Sequence, residues 1–298
     1  MKFILWSKDL PAATLSDADR EALAAAVRRL EGQSLTARLA ALASKPIALV
    51  QRALPATASA AVAKLTKHAL ERALDVALFS LRNRRIRGGR KVHSGLACTS
   101  GAIGGAFGLA ALAVELPIST TIMLRAIAAI AEQEGEDLSD PRTGLACLEV
   151  FALGDPATDE TGAEADYFAV RAMLARGLME IADFAMDKGA IRQGGPVLVR
   201  FLTQIAARFG IVVSQKVAAQ AVAVLGALGG AAVNLAFIEH FQDLARGHFT
   251  VRRLERVYGV GPVRSEYNRL KAEFTAARRS TEDLRREETA LMVDRPLI

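Results

Sequence analysis

Three ionisable side chains have the chemical types of an acid–base hydrolytic site, although they lie far apart in the sequence. Glu115 and Asp243 are carboxylates able to activate water, and His248 is an imidazole that exchanges protons near neutral pH. A hydrolase built on them requires a fold that brings all three into one concave pocket. The alternatives for Glu115 are an exposed helix terminus or a marker of a membrane interface.

Other catalytic patterns are weaker. The carboxylates and histidines between positions 239 and 248 form no HExxH motif and no paired CxxC is present, so we predict no metal site. His93 and Cys98 offer a base and a nucleophile, but a buried cysteine commonly serves as a small apolar filler. The glycines at 101–108 follow no predicted strand, which argues against a nucleotide-binding loop, and we predict no cofactor.

Two long stretches without a charged residue must position the candidate side chains. The first is 94–114, directly before Glu115, and the second is 217–238, directly after Lys216. As a helix, the first would be roughly 31 Å long at about 1.5 Å per residue, close to the ~30 Å of a hydrocarbon core. Each stretch could span a bilayer, dip into it, or form the buried centre of a soluble bundle.

A basic cluster precedes the first uncharged stretch. Its members are Arg82, Arg84, Arg85, Arg87, Arg90 and Lys91. Basic residues beside an apolar segment bind anionic lipid headgroups, each contributing about 1 kcal/mol near the surface. The cluster contains no aromatic residue for stacking on bases, so we predict a lipid or phosphate partner and no nucleic acid. A solvated helix end is the alternative.

The composition predicts an all-α fold. Hydrophobic residues make up 51% of the 298 residues and aromatic residues only 5%, and the abundant alanine and leucine favour helices. We predict a multi-helix bundle around the two uncharged stretches, with helix breaks at Pro117, Gly210 and Gly247. Three segments are expected: an N-terminal helical segment 1–56, a helical domain 57–262 and a charged C-terminal helix 263–298.

The sequence also predicts a cellular compartment. The apolar run near the N-terminus has about four residues, whereas a signal peptide needs roughly 7–15. Two cysteines are too few for a disulfide framework, which fits a reducing cytosol. Basic residues flanking the uncharged stretches favour the cytoplasmic side of a membrane. We therefore predict a cytoplasmic protein associated with the inner face of the membrane.

Several segments together resemble the EcsC family. They are 101–108 followed by 115–117, then 125–131, 147–154, 229–234 and 241–259, of which the last is the most specific. The resemblance covers about residues 60–270. It implies that seven residues match recurring family positions without an assigned role: Glu115, Asn234, Asp243, His248, Arg252, Arg253 and Tyr258.

The resemblance implies a bacterial protein whose biochemical activity is unestablished. The family is named after a bacterial protein encoded beside an ABC transporter. We predict a membrane-associated helical accessory protein, linked to a transporter or secretion system. Its partner would be an anionic membrane surface or a membrane protein. A peptidase-like hydrolase with an acid/His site and a soluble scaffold that binds proteins through its C-terminal helix are the alternatives.

Overall fold

The computed structural model describes residues 14–32, 34–43, 56–82, 109–154, 167–188, 195–222 and 226–293. Within these ranges the chain forms nine helices and no strand, which confirms the predicted all-α fold. In chain order they are α1 Asp17–Leu30, α2 Leu35–Ala43, α3 Ala56–Arg82, α4 Leu109–Gln133, α5 Pro141–Ala152, α6 Tyr167–Lys188, α7 Gly195–Val222, α8 Gly226–Tyr258 and α9 Val260–Val293.

Local signals explain where two of these helices begin. The Ser16 hydroxyl accepts a hydrogen bond from the backbone N–H of Asp19 at 3.2 Å, which caps α1. The Asp140 carboxylate accepts one from the backbone N–H of Arg142 at 2.8 Å, and Pro141 occupies the first helical position of α5. Both starts agree with the sequence pattern.

The predicted break at Pro117 is wrong, because α4 continues through this proline. A proline inside a helix costs about 3 kcal/mol. The apolar face of α4 is nevertheless buried on both sides of it, at Leu116 and Met123. Burial of a large apolar side chain contributes roughly 1.5–3 kcal/mol, so packing along the helix outweighs the proline.

The predicted helix ends at Gly210 and Gly247 are also wrong. Gly210 lies inside α7 and Gly247 inside α8. A glycine costs only about 1 kcal/mol relative to alanine in a helix. Fully buried side chains follow each glycine, Val213 in α7 and Phe249 in α8, and their burial extends the helix past it.

The second uncharged stretch, 217–238, is divided between the end of α7 and the start of α8. Lys216 contacts Asn234, and Phe209 contacts Phe241. Moving seven residues towards the N-terminus of α7, from Lys216 to Phe209, corresponds to moving seven residues towards the C-terminus of α8, from Asn234 to Phe241. The two helices are therefore antiparallel neighbours. This stretch is not a single helix long enough to cross a bilayer.

Parts of the predicted pattern lie outside the described residues. They include 94–108 of the first uncharged stretch, the basic cluster beyond Arg82 and the His93–Cys98 pair. The expectations for these residues stay predictions.

The chain forms two compact units. The smaller contains the described residues up to Gly32 and those from Thr250 onwards, and the larger contains those of Gln33–Phe249. In the smaller unit α1 packs on α9. In the larger unit α7 is central, because it packs against α2, α3, α5 and α6. Helix α4 packs on α3 and α5.

Four buried phenylalanines form the centre of the larger unit. Ring centroids lie 4.9 Å apart for Phe151 and Phe209, 5.4 Å for Phe209 and Phe241, and 5.2 Å for Phe237 and Phe241. Such pairs contribute about 0.5–1.5 kcal/mol beyond their buried area. Gly154 follows α5 and lies against this group, where a Cβ atom would come within 2.8 Å of Phe241 Cζ. The cluster joins α5, α7 and α8.

Candidate functional site

Three helices each contribute one polar side chain to a buried group, here called the Lys216 cluster. Lys216 Nζ on α7 donates a hydrogen bond to Glu115 Oε1 on α4 at 2.6 Å and another to Asn234 Oδ1 on α8 at 2.8 Å. Nζ also lies 4.7 Å from the centroid of the Phe237 ring, within the range of a cation–π contact. Lys216 and Asn234 are completely buried and Glu115 is 4% exposed.

Burial and pairing act in opposite directions on Lys216. Removal from water lowers the pKa of the Lys216 ammonium, whereas the charge and hydrogen bond of Glu115 act to raise it. Desolvating two charges is costly, and a buried pair is stable only when hydrogen bonds satisfy the rest of each group. Asn234 and the Phe237 ring supply that further satisfaction for the ammonium.

The Lys216 cluster has an unusual place in the charge pattern of the chain. Glu115 is the only charged residue in 94–124, and Lys216 is the only one in 209–238. The two segments therefore contain one charge each, and these charges are bonded to each other in the interior.

The sequence pattern selects Glu115 and Asn234 but not Lys216 as a site residue. The signal that identifies Lys216 is a pair of isolated, opposite charges. Glu115 directly follows the first uncharged stretch, and Lys216 directly precedes the second.

His248 belongs to a different buried group. Its Nδ1 lies 3.0 Å from the hydroxyl of Tyr167, and its Nε2 lies 3.8 Å from Glu149 Oε2. The three side chains are at most 5% exposed. Arg171 donates to the Tyr167 hydroxyl at 3.4 Å and its guanidinium lies over the Tyr167 ring. This group links α5, α6 and α8.

Asp243 forms ion pairs near the surface of the larger unit. Its carboxylate accepts hydrogen bonds from Arg38 of α2 and Arg246 of α8, both at 3.1 Å. The Arg38 and Asp243 side chains are 31% and 30% exposed. The contacts of Asp243 thus serve to attach α2 to α8.

The structure does not bring the three candidate catalytic residues into one pocket. Glu115 lies at the level of Asn234 on α8, because both accept hydrogen bonds from Lys216. From Asn234, the rise along α8 is roughly 13 Å to Asp243 and roughly 21 Å to His248 at about 1.5 Å per residue. Each candidate instead has its own separate set of partners.

Arg253 and Tyr258, two residues that the resemblance singles out, hold the N-terminal helix. Tyr258 Oη donates to Asp19 Oδ2 at 2.7 Å, and Arg253 Nη1 donates to Asp19 Oδ1 at 3.1 Å. These hydrogen bonds lower the pKa of the Asp19 carboxyl, and the bond from Tyr258 has the largest effect. Arg252, which lies on α8 next to Arg253, is half-buried.

Two described helices are long and apolar enough to cross a membrane by length and composition. They are Ala113–Gln133 and Pro196–Gln220, and less than half of each is buried within the molecule. Core helices of soluble proteins also meet these two criteria. These segments share only residues 113–114 and 217–220 with the two uncharged stretches, so the apolar helices and the charge-free stretches overlap only in part.

The model of the EcsC protein family matches residues 17–254 of the chain. The match begins with α1, ends in α8 four residues before Tyr258, and includes the Lys216 cluster. It confirms the resemblance to this family, but it begins and ends earlier in the chain than the expected range of about 60–270. No curated protein and no solved structure matches the chain.

Proposed function

We propose that the chain, which belongs to the EcsC protein family, is a membrane-associated helical accessory protein. The observation that carries the proposal is the pairing of Glu115 with Lys216, the only charged residues of segments 94–124 and 209–238. An unpaired charge would have to be desolvated on entering hydrocarbon, at a cost of several kcal/mol. Pairing in the interior removes that obstacle from this part of the molecule.

The surface near the Lys216 cluster supports the same function. Val114 precedes Glu115 in the sequence and is 66% exposed, and Ile118 in the next turn of α4 is 46% exposed. Large apolar side chains in contact with water favour an apolar partner.

The basic cluster Arg82–Lys91 supplies the electrostatic half of the proposal. Each basic residue close to an anionic surface contributes about 1 kcal/mol. The positive-inside rule places these residues on the cytoplasmic side. A transporter or secretion component would be the membrane-protein partner at this location.

Vesicle flotation tests the proposal. We expect the full-length protein to float with vesicles of phosphatidylcholine and phosphatidylglycerol, and much less with phosphatidylcholine alone. Replacing Arg82, Arg84, Arg85 and Arg87 by glutamate should reduce flotation at least tenfold, because four favourable contacts of about 1 kcal/mol each become repulsive.

The matched control carries the same change in charge elsewhere. Replacement of Arg28, Arg29, Arg278 and Arg279, which are exposed on α1 and α9, should leave most of the flotation intact. A wild-type protein that stays in the soluble fraction with both kinds of vesicle would contradict the proposal. Equal losses in the two charge-reversed variants would show that net charge, rather than the basic cluster, drives binding.

A further inference from the structure

We infer that the Lys216 cluster sets the depth of insertion, and that the apolar helix ends around it enter one leaflet of the bilayer without crossing it. The inference rests on the proposed membrane association. It adds which part of the molecule meets hydrocarbon and how far that part reaches.

The reach follows from the antiparallel arrangement of α7 and α8. Beyond Lys216, helix α7 continues to Val222, a rise of roughly 9 Å at about 1.5 Å per residue. Before Asn234, helix α8 begins at Gly226, a rise of roughly 12 Å by the same measure. A hydrocarbon core is about 30 Å thick, so these helix ends are too short to cross it.

Charged residues on α8 and α4 also limit how deeply this region can insert into the bilayer. Along α8 the first charge after the uncharged stretch is Glu239, which is exposed and lies roughly 7 Å from Asn234 along the helix axis. Along α4 the first charge after Glu115 is Arg125, also exposed, at a rise of roughly 15 Å. Burying these exposed charges in lipid would be unfavourable, so they remain in the aqueous or headgroup region.

Exposed apolar side chains surround the level of the cluster. Val114 and Leu235 are the sequence neighbours of Glu115 and Asn234, and they are 66% and 37% exposed. Ile118 is 46% exposed on α4. Side chains at this level can therefore contact acyl chains while the ion pair stays enclosed.

A lipid leaflet fits this region better than a protein partner. The helix ends contain no charged residue with which a protein surface could form an ion pair. Entry into hydrocarbon disfavours unpaired charge, and the Glu115–Lys216 pair leaves no such charge at this level of the two segments. A protein interface at the same place is therefore an outcome of the test rather than part of the inference.

A pair of labelled variants tests the depth. Val114→Cys and Val199→Cys replace the same residue type at similar exposure, 66% and 53%. Val199 lies on α7 roughly 25 Å before Lys216 along the helix axis. Each variant carries an environment-sensitive fluorophore in a background with Cys98→Ala and Cys147→Ala. Phosphatidylcholine–phosphatidylglycerol vesicles are brominated either near the headgroup or near the acyl chain ends.

We expect the label at position 114 to be quenched more by bromine near the headgroup than by bromine at the chain ends. The label at position 199 should be quenched by neither. Stronger quenching of position 114 by chain-end bromine would indicate a spanning segment and overturn the inference. Quenching of both labels, or of neither label while the protein still floats, would overturn it and leave the proposed function intact.

Charge variants at the same two positions provide a second readout without a label. Val114→Glu should lower the floated fraction at least fivefold, because a carboxylate at the level of the cluster resists entry into hydrocarbon. Val199→Glu, with the same charge change, should float like the wild type. Equal floated fractions for the two variants would overturn the inference. If the surface around position 114 then binds a membrane protein, that surface is a protein interface. Failure of the unmodified protein to float removes both proposals.

Discussion

At the scale of single residues, the ammonium of Lys216 is a fully buried charge that needs polar partners in place of water. It has a carboxylate, an amide oxygen and an aromatic face as partners, each from a different position in the sequence. A completed pair of this kind is often no more stabilising than an apolar replacement, whereas a broken pair is strongly destabilising. This asymmetry can be measured.

Glu115→Gln should lower the free energy of unfolding by about 3–5 kcal/mol, because it leaves the Lys216 charge buried without its counter-charge. The double variant Glu115→Leu with Lys216→Met should recover most of this loss, since it removes both charges at similar volume. Urea unfolding followed by circular dichroism measures both values.

Asp243→Asn is the control for this prediction. It makes the same acid-to-amide change in an ion pair whose side chains are about one-third exposed, and such pairs are worth about 0–1 kcal/mol. A loss in Glu115→Gln no larger than that in Asp243→Asn would contradict the role assigned to the buried pair.

The sequence identifies only part of this cluster. The resemblance singles out Glu115 and Asn234, but Lys216 lies 101 positions from Glu115 in the chain. A pairing over such a distance depends on how α4 and α7 pack, which local periodicity does not specify. The isolated opposite charges at the ends of the two uncharged stretches were the available signal.

At the scale of helices, Gly154 and Gly210 differ in the space that surrounds them. Gly154 follows α5 and allows close approach to the Phe241 ring. Gly210 lies inside α7, where a Cβ atom would meet no other atom within 4 Å. The same residue type therefore has a packing role in one place and none in the other. Sequence patterns contain the residue type but not the space around it.

Alanine at these two positions should change stability in opposite directions. Gly154→Ala should lower the free energy of unfolding by about 1–3 kcal/mol, because the methyl group overlaps Phe241 and Val212 in a filled core. Gly210→Ala should raise it by about 0.5–1 kcal/mol through helix propensity alone. Thermal unfolding of the two variants beside the wild type measures the contrast. A shift of the same sign in both would contradict the packing described for Gly154.

At the scale of the whole molecule, the all-α fold class follows from composition, whereas the arrangement of charged groups does not. Capping residues correctly predict the starts of α1 and α5. The three candidate catalytic residues are instead distributed among separate groups, because Glu115 lies on α4 and pairs with α7, whereas Asp243 and His248 on α8 contact different neighbouring helices. The resistance of the larger unit to acid depends on such buried groups, among them His240.

His240 should make the larger unit less stable in acid. Burial lowers the pKa of His240 from 6.5 to about 4, against the effect of its hydrogen bond to the Gly154 carbonyl. Between these values the unfolded chain binds a proton at His240 and the folded chain does not. The free energy of unfolding should therefore fall by about 3 kcal/mol as the pH falls through this window.

His240→Gln retains a side-chain N–H donor for Gly154 but does not titrate. Urea unfolding near neutral pH and near the lower end of the window should show a smaller acid-induced loss in this variant than in the wild type, by about 2–3 kcal/mol. Arg38 and Asp243, which also act on His240, are present in both proteins. Equal losses would mean that His240 is not the group responsible.

The antiparallel contacts of α7 and α8 also restrict how the length of this chain can vary. Phe209 and Lys216 are two helical turns apart, as are Asn234 and Phe241. One inserted residue within either interval would rotate one contact by about 100° relative to the other, and both could not form together. Insertions and deletions should therefore be excluded from these two intervals in viable homologues.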